Sequence, residues 1–410
     1  MSDTHDIAVL RDLAQQYMDI ARKDVQAQRR EMWRAHNSLE GTSTPIIVAA
    51  GAAWEEIIGA QIVCEDPFLQ SFERRFRDAI FTDTVADDTI VEPWITVTAA
   101  YRTVGAGAWG AYPTRTAPPV TGGAWKDDPP IKRLADFEKL VAPHHLIDED
   151  ATARNLTRMQ EAVGDIVPVN LDRAPLYRVW NADLSTDLAY LRGLDQVMLD
   201  MVDNPGWLHE VLSFMRDGVL QVHAEAEAAG DWHLADHCNQ AMPYCRELAD
   251  PRANSESVTR DKLWGYLAAQ ELTLVSPKMH WEFMLQYQIP ILEKFGLSAY
   301  GCCEDLTQKI DILRQIPNLR RIAVTPTANV ARCAEQIGRD YVISWRPNPA
   351  EMICCGFDRE LVTRIVREAM AACQGLVVDI TLKDVQTTLG RPELLREWVK
   401  VVRGVTEQFG

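Results

Sequence analysis

The chain has 410 residues, is 47% hydrophobic and 25% charged, and carries a formal net charge of −17. That composition supplies ample core material, and no Lys/Arg cluster interrupts the acidity, which argues against a nucleic-acid or anionic-membrane partner. Residues 1–6 are polar and acidic, and no apolar stretch approaches the roughly 18 residues of a membrane span, so a cytoplasmic protein is expected. The nine cysteines include the adjacent pairs Cys302-Cys303 and Cys354-Cys355. They do not look like a disulfide framework and read as thiols, available to a core or to a metal.

In chain order, the first forty residues are charged and helix-favouring, with Leu10, Leu13, Tyr17, Ile20 and Ala21 forming an amphipathic stripe. The apolar run 44–53 is strand-sized. Further helices are expected over 54–62 and 67–80, and residues 88–97 read as extended, with Pro93 fixing a bend or an end. Residues 105–130 are rich in Gly, Pro and Thr, with Trp109, Tyr112 and Trp125 along them, the pattern of a long functional lid.

From residue 131 onward short β-branched runs alternate with helical patterns. Strands are expected at 166–170, 232–237, 298–302, 321–325, 341–345 and 376–381. Helices are expected over 188–202, 207–228, 277–294, 306–315, 330–337, 359–372 and 392–408. Such alternation implies parallel strands joined by crossover helices, and about eight units fit a closed (β/α)8 TIM barrel in the α/β class. The expected organisation is an N-terminal helical extension over 1–85 packed on a barrel over 86–410. A Rossmann fingerprint and a Walker A loop are both missing from the sequence.

Barrel active sites form at the C-terminal ends of strands. The expected strand ends are Asp236-His237-Cys238, Tyr300-Gly301-Cys302-Cys303-Glu304, Ser344-Trp345-Arg346 and Lys383-Asp384. The Cys302-Cys303-Glu304 run is the strongest local signal. Thiolate and imidazole are the ligands zinc favours, and a catalytic zinc needs three of them plus an open position. His237 with Cys238 or Cys245 is placed to complete such a set. A lone Cys is more often a small buried hydrophobe, and for this run the two readings weigh equally. Cys354-Cys355 reads as packing, and Cys64, Cys333 and Cys373 as core.

Arg346, followed by prolines, suits bidentate recognition of a carboxylate or phosphate, or else an ion pair with Glu351 or Asp358. Lys383-Asp384 is a polar pair at the mouth or a salt bridge closing the barrel. For Asp87, Asp88 and Glu92 a capping or solvated role outweighs acid/base work. His144, His145, His223 and His280 read as structural or surface residues.

The same segments resemble the uroporphyrinogen-decarboxylase-like superfamily along nearly the whole chain. The resemblance is carried by Leu191-Arg192-Gly193-Leu194 through Pro205, by Ser276-Pro277-Lys278-Met279 and by Tyr300-Gly301-Cys302-Cys303-Glu304. It continues in Ile316-Pro317-Asn318-Leu319-Arg320-Arg321 and Arg346-Pro347-Asn348-Pro349-Ala350. It implies a TIM barrel. The Arg-rich N-terminal stretch of the true decarboxylase is absent, so the resemblance points to the corrinoid-dependent methyltransferase branch. That branch places a His-x-Cys element where Tyr300-Gly301-Cys302 stands. Cys302 matches the thiolate, Tyr300 replaces the histidine, and Trp345-Arg346 stands where a later cysteine would be. Either His237 and Cys238 supply substitute ligands, or Glu304 joins Cys302 and Cys303, or there is no metal.

The leading expectation is a methyltransferase that demethylates a small methylated or methoxylated compound and passes the methyl group to a corrinoid (cobalamin) protein. Zinc would be held by Cys302, His237 and Cys238. Glu304 and Asp384 would be the catalytic carboxylates, and Arg346, Lys383, Trp345, Tyr300 and Glu92 would bind substrate. The resemblance also suggests a homodimer. A second expectation is a metal-free decarboxylase or lyase, with Arg346 and Lys383 on a carboxylate and Asp384 or Glu92 moving the proton. A third is a barrel without catalysis that serves as a partner subunit.

Overall fold

A computed structural model describes residues 2–41, 43–105, 107–120 and 123–409. The strands are β1 (Ile46–Ala49), β2 (Ile95–Thr98), β3 (Thr114–Thr116), β4 (Lys126–Asp128), β5 (Val169–Asp172), β6 (Trp264–Leu267), β7 (Leu297–Tyr300), β8 (Leu319–Val324), β9 (Val342–Trp345) and β10 (Val378–Lys383). Six of them form one curled sheet in the order β1-β10-β9-β8-β7-β6, and every pair in it is parallel. β2 and β5 make a separate parallel pair, and β3 with β4 an antiparallel hairpin. Strands β6, β7 and β9 are buried at every residue, as expected of a parallel sheet covered on both faces.

The closed eight-stranded barrel expected from the sequence is therefore corrected to a TIM-like half-barrel that does not close by strand pairing. The reason lies at its two edges, where side chains do the work of a neighbouring backbone. Beside β1, the Asp88 carboxylate accepts the Ile46 N–H and the Asp87 carboxylate accepts the Val48 N–H, both at 2.8 Å. Beside β6, the His237 Nδ1 accepts the Trp264 N–H at 3.1 Å, and Cys238 N donates to Trp264 O at 3.2 Å. Edge N–H groups must find acceptors, and here carboxylates and an imidazole supply them. Residues 232–237, expected as a strand, accordingly form no strand, whereas β6, unmarked in the sequence, does.

Across the gap, Ile90 N donates to the Met242 sulfur at 3.4 Å. Arg178 ties β5 to the same region, bonding Asp172 at the strand end and lying 3.8 Å from Asp236.

Within residues 1–85, β1 pairs with β10 along its whole length. The helices Ser2–Ala21 and Pro67–Val85 pack around β2 and β5 through Leu10, Leu13, Phe72, Phe76, Val97 and Val169. The expected helix 188–202 is two, Ser185–Arg192 and Leu194–Asp203, broken at Gly193, whose φ of +88° suits glycine. Among the described residues no helix is long and apolar enough to cross a membrane.

Inside the curled sheet lies a buried polar network. Arg321 on β8 donates to Asp379 on β10 at 2.8 Å, Ser344 on β9 donates to the other Asp379 oxygen at 2.9 Å, and His36 Nε2 lies 3.1 Å from Asp379. Asn37, ending the helix Asp24–Asn37, accepts from Arg321 at 2.7 Å. Arg321 is 2% exposed and Asp379 0%. The Arg321→Met variant leaves Asp379 as a buried charge without its cation, and should lose about 3–5 kcal/mol in urea unfolding, while Arg321→Met combined with Asp379→Leu recovers much of that loss.

Candidate active site

The C-terminal ends of β6, β7, β9 and β10 meet at one mouth, and the chain from β7 supplies its centre. β7 stops at Tyr300, and Gly301 turns the chain with φ +96°. A Cβ there would sit 2.6 Å from Leu306 Cδ1 and 3.1 Å from Ala323 Cβ, so both the angle and the space require glycine. Cys302 is buried and Cys303 exposed, with their sulfurs 3.5 Å apart. From β10, the Lys383 ammonium donates to Cys303 Sγ at 3.2 Å and lies 3.8 Å from Cys302 Sγ. It is also bonded to the Asp384 carboxylate.

The two thiols are driven apart in acidity. The hydrogen bond from Cys302 and the Lys383 ammonium together draw Cys303 down, to about 6, against the opposing effect of burial. The same sulfur–sulfur bond, with burial, pushes Cys302 far up. The Cys302 thiol and the Lys383 ammonium beside it thus favour the thiolate form of the exposed Cys303.

Glu304 holds the turn. Its carboxylate accepts from Ala269 N and from Cys302 N, both at 2.8 Å, and it is 0% exposed. With both oxygens on backbone amides, it joins the end of β6 to the end of β7 and fixes the thiols; it is a positioning residue. Arg346 is also turned inward. Its guanidinium donates to Cys302 O at 2.5 Å and to Gln240 Oε1, and Gln240 in turn bonds the Tyr266 hydroxyl. Gln240 and Asp384 both carry positive φ, +63° and +57°, and strained backbone of that kind clusters at functional sites.

The remaining expected site residues lie elsewhere. Tyr300 points to the helix layer, where its hydroxyl donates to Gln288 Oε1 at 2.7 Å and lies 2.9 Å from His280 Nε2. Trp345 is buried in the main core cluster with Val324 and Ile380. Glu92 accepts from Tyr244 at 2.6 Å and from Arg30 of the helix Asp24–Asn37 at 3.0 Å. His237 has both ring nitrogens on backbone, Nε2 at 3.0 Å from Ala249 O and Nδ1 on Trp264 N. Cys238 packs with Tyr266, Ala299 and Cys302, and burial pushes its thiol up to about 11. The set His237, Cys238 and Cys302 therefore does not fit zinc as placed: both imidazole nitrogens are taken by backbone groups, and the two thiols pack in an apolar cluster with Tyr266 and Ala299. Among the described residues no group of three or more His, Cys, Asp or Glu is arranged to hold a metal.

Sequence reasoning missed Gln240 and Tyr266. Gln240 lies just past the Asp236-His237-Cys238 segment, so reading that strand end two residues further was the available signal. Of the expected lid over 105–130, the described residues do not reach the thiols. Among the described residues its hydrogen bonds and ring contacts include Tyr177, Asp187, Tyr190 and Phe214, with none to Cys303, Lys383 or Arg346.

Iodoacetamide should label Cys303 well ahead of Cys302. The rate should be half-maximal near the Cys303 value of about 6 and fall below it as the thiolate takes a proton. Lys383→Met should move that midpoint up by about a unit or more, read by peptide mass mapping across pH.

No family model matches the chain, and no curated protein sequence does either. Among solved structures, the fold is similar to a protein described as a methyltransferase from Methanosarcina mazei, with a TM-score of 0.53 over 93% of this chain and 98% of that one, at 12% identity. A likeness at that identity speaks for the fold: a TIM-like α/β architecture spanning nearly the full length of both chains.

Proposed function

We propose that the protein is a methyltransferase in which the Cys303 thiolate takes a methyl group from a small methylated compound and hands it to a corrinoid protein. The observation that carries this reading is the exposed Cys303 sulfur, 3.2 Å from the Lys383 ammonium and 3.5 Å from Cys302 Sγ. In the first step the thiolate supplies an electron pair to the methyl carbon. The S–CH3 bond forms as the bond to the donor heteroatom breaks, and the heteroatom leaves with the electron pair of that bond. In the second step the reduced corrinoid attacks the same carbon, and the pair of the S–CH3 bond returns to sulfur. Lys383 and the Cys302 S–H stabilise the thiolate each time it is regenerated, which lowers the barrier to its departure.

Glu304 and Arg346 serve this chemistry from behind, by fixing Cys302 N and Cys302 O. The likeness of the fold to a methyltransferase supports the reading. The decarboxylase reading gains nothing from Arg346, whose guanidinium is bonded inside the protein and is 4% exposed.

Methylcobalamin under anaerobic conditions tests the second step in reverse. The peptide holding Cys303 should gain one methyl group as cob(I)alamin appears. Cys303→Ser should abolish both by at least about a hundredfold, and Lys383→Met should slow them by about one to two orders of magnitude. Failure of the wild-type protein to take up methyl at any pH, or uptake that survives Cys303→Ser, would sink the proposal.

A further inference from the structure

Away from the thiols, Thr103 and residues 107–115 and 176–191 line a cavity of about 440 Å³, large enough for a small ligand. Its walls are aromatic: Trp109, Tyr112, Tyr177 and Tyr190 all line it. Trp109 is 1% exposed and meets Tyr177 edge to face at 5.5 Å. Both rings are anchored. The Trp109 indole N–H donates to Asp187 Oδ2 at 2.6 Å, and the Tyr177 hydroxyl donates to Ala108 O.

Among the described residues only two charged side chains line the space, Asp187 and Arg115. Arg115 is already matched by Asp127 at 2.7 Å. Its guanidinium lies 5.8 Å from the ring centroids of both Tyr190 and Trp125, so these ring faces already attract one cation at the rim. Asp187 is left without a cation. One of its oxygens takes the Trp109 N–H, and the other accepts no hydrogen bond among the described residues. Burial and the nearby Glu271 push its carboxyl up to about 6, the behaviour of a carboxylate that lacks a positive partner.

We propose that this cavity binds a small methylated ammonium cation, with its charge against Asp187 and its methyl groups against the surrounding rings. The exposed rings of Tyr112 and Tyr190, with the buried Trp109 and Tyr177 behind them, and one uncompensated carboxylate suit a quaternary ammonium, whose diffuse charge favours electron-rich surroundings and cannot donate hydrogen bonds. An anion would meet an unpaired carboxylate and an arginine already satisfied. A methylated ammonium is also a competent methyl donor to a thiolate, because a neutral amine departs. That link rests on the methyl-transfer reading, whereas the binding does not.

Calorimetric titration of the whole protein with choline tests it, with the uncharged isostere 3,3-dimethylbutanol and with benzoate beside it. Choline should bind saturably and at least tenfold more tightly than dimethylbutanol in the unaltered protein. Asp187→Asn, which keeps an acceptor for Trp109, and Tyr190→Ala should each weaken choline at least tenfold without altering thermal unfolding. Equal affinity for choline and dimethylbutanol would reduce the cavity to an apolar space and overturn the proposal. Preference for benzoate, or no saturable binding by choline, would overturn it as well. Cys303→Ser should bind choline normally, so loss of methyl uptake and loss of cation binding are read separately.

Discussion

The buried pair of Arg321 and Asp379 sets the constraint on which the rest of the structure depends. It spans the inside of the curled sheet from β8 to β10, with Ser344 between them and His36 from the helix Asp24–Asn37 also on the Asp379 carboxylate. A charge pair in this setting gains little net stability over apolar packing, because desolvation offsets the Coulomb attraction. What it does is make the alternatives costly. Any shift of β8, β9 or β10 against one another, or withdrawal of the helix Asp24–Asn37, leaves a buried ion uncompensated. The strands that carry Arg346 and Lys383 are thereby held in one register, and so are the side chains at their ends.

The open edges follow a different rule. A closed barrel satisfies every strand N–H with a neighbouring carbonyl. Here Asp87, Asp88 and His237 supply the acceptors on the flanks of β1 and β6. The sheet can therefore stop at six strands without exposing an adhesive edge, and β2 with β5 can pack apart among the N-terminal helices. His237 is committed to this task, which removes it from the chemistry at the mouth.

At the mouth, the division between two adjacent cysteines is made by their surroundings. Cys302, bonded to the Cys303 sulfur and set in an apolar cluster with Tyr266, Ala268 and Ala299, is pushed toward its protonated form. Cys303 faces outward beside Lys383 and receives a hydrogen bond from its neighbour, so it gives its proton up. Glu304 and Arg346 clamp the Cys302 backbone from opposite ends, and the exposed sulfur is presented on a rigid turn. The rings and carboxylate of the lid cavity form a second, separate polar environment in the protein.

The sequence by itself determined the α/β alternation, because apolar runs and amphipathic periods are local patterns; the helices 330–337 and 359–372 coincide with the structure. It also determined that Cys302, Cys303, Lys383 and Arg346 end strands, since strand ends lie where β-branched runs give way to polar residues. Tertiary structure alone decided which way each of these side chains points. In a strand one residue of offset reverses the face: Ser344 bonds inside the sheet while Trp345, its neighbour, packs among the helices. It alone decided that the barrel stays open, because an aspartate that caps a loop and one that completes a sheet edge look the same in sequence. And it alone decided that Glu304 binds backbone amides and Asp187 faces aromatic rings, since both depend on segments that meet only when the chain is folded.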